Sequence, residues 1–241
     1  MLEMHSGAQK IATAEGRVEI ATRAINERIR RDRLQVGKPI PSEVDLAGGL
    51  GVSRTVVREA LRALSALGIV DLGNGRRPRV GAIDQEALGL VLDHAVHTDQ
   101  ATIQQIYDVR RTIEMRTVAL AAIRRLDVEA QEIASHAAAM RKNFLRPEQA
   151  MEHDIAFHAA IAVASRNPLF ALIVGSFGVI TRQTWRIGWD SRRTDDQRRA
   201  SVACHQRIAA AIRERDASAA EAEMAAHFDD SVKALLAAGV I

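Results

Sequence analysis

Apolar residues along this chain recur mostly at intervals of three and four. Between Arg17 and Leu34 the positions Val18, Ala21, Ala24, Ile25 and Ile29 share one face, which predicts an amphipathic helix. The stretch Val36 to Pro41 ends it, because two prolines and a glycine cannot continue a helix. Ser42, with Asp45 three residues on, reads as the cap of a short helix to about Leu50. Gly51-Val52 is a tight turn, and Ser53 caps a third helix reaching about Leu67, with Val57, Ala60, Leu61 and Leu64 as its apolar stripe. Strand signals follow at 68–72 and 79–80, joined through Gly73-Asn74-Gly75. From Gln85 helical periodicity returns, predicting helices over 84–96, 101–124, 127–143, 147–165, 168–188, 195–214 and 217–238. Asp127, Pro147, Asn167-Pro168 and Asp216 stand at their joints, where caps and first-turn prolines belong. The predicted fold is mainly α, an N-terminal winged helix-turn-helix followed by an all-α antiparallel bundle. Four segments are expected: an arm over 1–16, the winged domain over 17–81, a linker and first helix over 82–98, and an all-helical domain over 99–241.

Composition narrows the compartment. One cysteine, Cys204, excludes an internal disulfide and fits a reducing environment. No apolar run reaches the ~20 residues of a membrane span, and the first residues lack a basic-then-apolar leader. A cytoplasmic location with no membrane partner is expected. Charge is uneven: residues 1–80 carry 14 Lys+Arg against 9 Asp+Glu, while 81–241 carry 19 against 21. A polyanion partner is expected for the first part.

The third helix supplies chemistry for that partner. Arg54, Thr55, Arg58 and Arg62 lie about 120° around the axis from its apolar stripe. Arginines near a helix N-terminus oppose its dipole, and DNA phosphates or guanine edges would compensate them. A solvated arginine face is the alternative. The hairpin tip adds Gly75 for close backbone approach, with Arg76 and Arg77 for charge.

The helical part carries a candidate metal set. Asp154 and His158, four apart, point from one helix face. His205 and His227 each stand about eleven residues from Asp216, which levels them on an antiparallel hairpin at ~1.5 Å rise per residue. One carboxylate and three imidazoles suit Zn²⁺ and related divalent ions. Ordinary packed histidines are the alternative.

Two resemblances sharpen this. Pro41-Ser42-Glu43, Leu46-Ala47, the run Gly51-Val52-Ser53-Arg54-Thr55-Val56-Val57-Arg58-Glu59-Ala60-Leu61, Leu64 and Gly68-Ile69-Val70 resemble the GntR family of bacterial regulators across about residues 17–81. The resemblance implies operator contacts by Ser53, Arg54, Thr55 and Arg58, and approach of Gly75 to the minor groove. Val44 stands where some members carry a DNA-contacting arginine. Residues 100–235 resemble the FCD ligand-binding domain of the FadR branch, through 109–114, 154–161, Asn167-Pro168, His205 with Ile208, and His227. That resemblance implies a divalent metal on Asp154, His158, His205 and His227, zinc first, with nickel or manganese as alternatives. It also implies that Arg110 pairs with an effector carboxylate, for which its planar fork is suited. An intrahelical pair of Arg110 with Glu114 is the competing reading, and Asn167, Arg182 and Trp185 are further candidates for the cavity wall.

The expected protein is therefore a homodimer on a palindromic operator, a repressor released by a small organic acid held by metal and Arg110. The rivals are a regulator whose signal is the ion itself and a zinc hydrolase. Against the hydrolase, no general base stands beside the ligands, and four protein ligands leave little open coordination.

Overall fold

A computed structural model describes residues 14–73 and 76–240. Most of the expected arm and the wing residue Gly75 lie outside the described residues. Internal contacts divide the chain into two compact units, meeting after Asp84.

The first unit holds α1 (Ala14–Arg31), α2 (Glu43–Leu50), α3 (Arg54–Ala66), β1 (Val70–Asp71) and β2 (Arg79–Val80). Local chemistry sets each boundary. Ser42 accepts from the Asp45 amide and the Asp45 carboxylate accepts from the Ser42 amide, closing a capping box at α2. Gly51 ends that helix at φ 65°, a left-handed conformation that glycine adopts without Cβ strain. The Ser53 hydroxyl then accepts from the Val56 amide at 3.3 Å to start α3. Ile25, Ile40, Val57, Leu61 and Leu64 form a buried core beneath these elements.

The strands pair antiparallel, Val70 with Val80 and Asp71 with Arg79. Residues 37–40, predicted only as a helix break, add to the sheet's edge: Val80 N–H donates to Lys38 O at 2.9 Å and Ile40 N–H to Pro78 O at 2.9 Å. Pro39 and Pro41 lack N–H groups, but the Ile40 amide between them and the Gly37 amide before them complete this short ladder. At Gly81 a Cβ would stand 2.1 Å from the Gly68 carbonyl oxygen, so a glycine is required where the sheet turns back past the end of α3.

The second unit contains α4 (Glu86–His97), α5 (Ile103–Arg124), α6 (Asp127–Lys142), α7 (Pro147–Ala164), α8 (Pro168–Ser176), α9 (Gly178–Ser191), α10 (Asp195–Arg213) and α11 (Ala217–Ala237). Among the described residues no helix is long and apolar enough to cross a membrane. Helix α5 packs on α11 and α7, while α10 packs on α6 and α11. Phe157, Ile161, Ile208, Ile212, Met224 and Phe228 fill the space between them. Two arginines fix the helix ends at one pole: Arg125 donates to the carbonyls of Ile212 and Arg213, and Arg215 donates to Ile123 O at 3.1 Å.

One predicted element is corrected. The expected single helix over 168–188 is two helices broken at Phe177. The Phe177 amide reaches back only three residues, to Val174 O at 3.2 Å, and its buried ring anchors the bend. Flanking glycines permit it: a Cβ at Gly175 would meet the Gln85 side chain at 2.2 Å, so α8 lies close under the start of α4.

Candidate functional site

On the first unit, α3 buries Val57, Ala60, Leu61 and Leu64 and leaves Ser53, Arg54, Thr55 and Arg58 exposed. No acid occupies its first turn, so its N-terminal positive field is uncompensated from within. Arg54, Arg58 and Arg62 line one wall of an open groove, and Arg76 and Arg77 line the other. Two acids already touch this surface. Glu43 holds Arg58 at 2.9 Å, a hydrogen bond that keeps the Glu43 carboxyl below its ordinary range, and Asp45 stands 3.8 Å from Arg77.

The second unit converges on a buried polar centre. Asp154 and His158 enter from α7, His205 from α10 and His227 from α11, and all four are buried. The nitrogens that His158, His205 and His227 offer lie within 4.8 Å of one another. The hairpin arithmetic holds: the His205 and His227 ring centroids are 4.6 Å apart. Asp154 Oδ1 sits 2.8 Å from His205 Nε2 and 3.9 Å from His158 Nε2.

Hydrogen bonding leaves this cluster incomplete without a cation. His205 Nδ1–H donates to Ser201 O at 3.0 Å, so its Nε2 turns toward Asp154. His158 Nδ1–H donates to Glu114, a buried carboxylate missing from the predicted set, and this orients His158 Nε2 inward. That Nε2 is buried with no hydrogen-bond partner. A buried lone pair facing two more imidazoles and a carboxylate is the donor set a divalent ion requires, so the residues fit a metal.

The fields agree with this. Burial alone would raise the Asp154 carboxyl, but the His205 hydrogen bond and the charges of His158 and His205 hold it well below the usual carboxylate range. Burial, then repulsion from His205 and His158, pushes the His227 imidazole well below 6.5, into the neutral form that ligates metals. Burial pushes the nearby Cys204 thiol up to about 11, which fits a small core residue.

Arg110 on α5 is buried beside this centre and makes the predicted intrahelical pair while also facing the cavity. Its Nε donates to Glu114 at 2.6 Å and its Nη1 to the Thr181 hydroxyl at 2.9 Å. Burial opposes its charge, yet Glu114 and Asp154 hold it more firmly protonated than an ordinary arginine. A cavity of about 50 Å³ reaches from Arg110, Asp154, His205 and His227 to Trp185 and Trp189, whose rings stack at 4.9 Å. Arg192 lines the same cavity and is held at 2.5 Å by Asp230.

Two of the expected wall residues are elsewhere. Asn167 is consumed as the cap of α8, accepting from the Leu169 amide at 3.1 Å. Arg182 points outward and pairs with Glu152 at 2.7 Å, because its neighbour Thr181 occupies the inward face of α9.

Known proteins carry the same two-part organisation. The family described as bacterial regulatory proteins, gntR family, matches residues 18–80, and the FCD domain matches residues 105–230. The HTH-type transcriptional regulator LutR of Bacillus subtilis (strain 168) is 30% identical over 203 residues, covering 83% of this chain and 92% of LutR. The HTH-type transcriptional repressor NanR of Cronobacter sakazakii is 28% identical over 220 residues, covering 88% and 82%. The solved structure of Streptococcus agalactiae GntR shares the fold, with a TM-score of 0.61 at 22% identity over 88% of this chain and 97% of that one. The matched domains and relatives are those of transcriptional regulators and not of enzymes, which removes the hydrolase reading. The chain belongs to the GntR family of bacterial regulators, as a DNA-binding transcriptional regulator with an FCD effector-binding domain.

Proposed function

We propose that this regulator releases its operator when a small organic acid binds beside a divalent metal in the FCD cavity. Asp154, His158, His205 and His227 would hold the ion, zinc first, with nickel or manganese as alternatives. The single observation that carries the metal reading is the buried, unpartnered Nε2 of His158 facing His205 and His227. A bound divalent ion supplies positive charge for an oxygen of the effector. Arg110, fixed by Thr181 and Glu114, presents its remaining donors to the acid's carboxylate. Tyr107 O–H donates to Thr184 at 3.0 Å and shapes the same wall. Trp185 and Trp189 cover the apolar side.

Ser53, Arg54, Thr55 and Arg58 would read the operator, with Arg76 and Arg77 on the flanking backbone and Gly75 at the minor groove. A homodimer on a palindrome follows from one reading head per chain, and Leu90 and Val91, 68% and 62% exposed on α4, offer apolar surface for pairing. Repression accords with the likeness to NanR, named as a repressor, while a relative in Escherichia coli that is 32% identical is named as an activator of the Glc operon.

Selection of binding sites from random duplex DNA, followed by anisotropy titration with Zn²⁺ and a panel of small carboxylic acids, tests the reading. A palindromic consensus released by an acid only when Zn²⁺ is present supports it. An acid that releases DNA equally from chelator-treated protein removes the metal from the mechanism. The small size of the cavity favours a second reading, in which the ion itself is the signal. It predicts DNA affinity that follows Zn²⁺ concentration with no acid added.

A further inference from the structure

Glu114 touches both halves of the site. One carboxylate oxygen accepts from Arg110 Nε at 2.6 Å, and the other accepts from His158 Nδ1–H. Its side chain is 1% exposed, so water cannot share its charge. Burial alone would drive it neutral, but His158 and Arg110 hold it below its ordinary range, as a carboxylate. Two partners thus divide one buried negative charge.

We infer that Glu114 is a positioning residue that couples the metal affinity of the histidine cluster to the engagement of Arg110. The inference rests on the metal-and-acid reading above. The physical step is competition for a single anion. A carboxylate ligand that draws Arg110's donors toward itself weakens the Arg110–Glu114 pair. Glu114 then concentrates its charge on His158 Nδ1–H, and His158 Nε2 becomes a stronger electron donor. Acid and metal therefore bind with positive cooperativity through one carboxylate, and the coupling is reciprocal by linkage. No movement of a helix is needed for this step.

The test measures Zn²⁺ affinity by competition with a chromophoric chelator, on full-length protein with no organic acid present. Glu114→Gln keeps the shape and removes the charge, and it lowers Zn²⁺ affinity roughly 10- to 100-fold. Arg110→Gln leaves Glu114 wholly to His158 and raises Zn²⁺ affinity several-fold. Arg110→Lys, which keeps the charge but loses the planar fork, moves the same way by less. In the Glu114→Gln background the effect of either Arg110 change disappears. In the unaltered chain, histidine-selective ¹⁵N NMR shows a strongly downfield Nδ1–H proton on His158 that Glu114→Gln removes, a signal a merely structural role would leave in place. Zn²⁺ affinity that ignores Arg110, or an Arg110 effect that survives in Glu114→Gln, overturns the coupling while leaving the metal site standing. A wild-type protein that binds no divalent ion overturns the metal reading and this inference with it.

Discussion

Arg58 of α3 and Glu43 of α2 form a two-point ion pair, Nη2 to Oε2 at 2.9 Å and Nε to Oε1 at 3.4 Å. The pair holds the guanidinium at the groove between α3 and the wing before any DNA arrives. It also sets a competition, because a phosphate or guanine edge must draw Arg58 away from Glu43 or share it.

Arg58→Ala should therefore weaken operator binding by the ~1–3 kcal/mol typical of a good base contact. The melting temperature should hardly change, since exposed ion pairs contribute little to stability. Glu43→Gln should act in the opposite sense, tightening DNA several-fold and steepening its salt dependence. Anisotropy titrations on a selected duplex decide both, and wild-type affinity in Arg58→Ala would remove Arg58 from the interface.

Zinc should stabilise the helical domain. An ion present at about 100 times its Kd adds ~2.7 kcal/mol to a folded state that alone binds it. A chelator should reverse the rise in Tm, and His227→Ala should abolish it. A Zn²⁺-dependent shift that persists in His227→Ala would mean that the ion sits elsewhere.

Acid should destabilise the metal-free protein in two stages. His227 has a folded pKa depressed below 6.5, so the unfolded chain takes up a proton first, and stability falls as pH drops below about 6.5. Asp154 and Glu114 are also depressed when folded; their contribution is complete above about pH 5 and is lost as pH falls through the carboxylate range. Thermal melts of chelator-treated protein from pH 8 to 3 should show Tm declining from near neutrality. A Tm that is flat down to pH 5 would contradict the buried neutral state of His227.

Gly81→Ala should damage the winged domain selectively. The added Cβ would stand 2.1 Å from the Gly68 carbonyl, against backbone that cannot rotate away. A cost above ~1 kcal/mol is expected, with loss of DNA binding but retained Zn²⁺ response. Wild-type stability in Gly81→Ala would show that the hairpin can shift to accept the methyl.

Helix starts were legible in the sequence because a cap is local chemistry: Ser42 with Asp45, Ser53, Asn167 and Asp216 all accept from amides two or three residues on. The meeting of His205 with His227 was legible because helix rise is constant. What escaped depends on distant partners. Glu114 reads as an ordinary i+4 mate of Arg110, and only the fold brings it to His158, 44 residues away. Its place on the cavity-facing side of α5, one turn from Arg110, was the available signal. Arg182 reads as a candidate for the cavity wall, but the neighbouring Thr181 takes the inward position. The bend at Phe177 was signalled by Gly175 and Gly178, yet the surrounding apolar run reads as one helix until the packing under Gln85 is known. The strand-like segment at 37–40 was hidden by its prolines.

The stacked pair in the cavity wall has a practical consequence. Trp185 and Trp189 are the chain's two tryptophans, and both line the space beside Arg110 and the histidines. Every photon of native indole emission therefore originates at the wall of the proposed effector cavity, with none diluted by reporters elsewhere. Phe144 meets Trp189 edge-on at 5.4 Å and Arg198 lies 5.8 Å over it, so these two groups tune the emission of Trp189 from outside the cavity. The unlabelled protein is its own optical sensor, and effector libraries can be screened by intrinsic fluorescence alone.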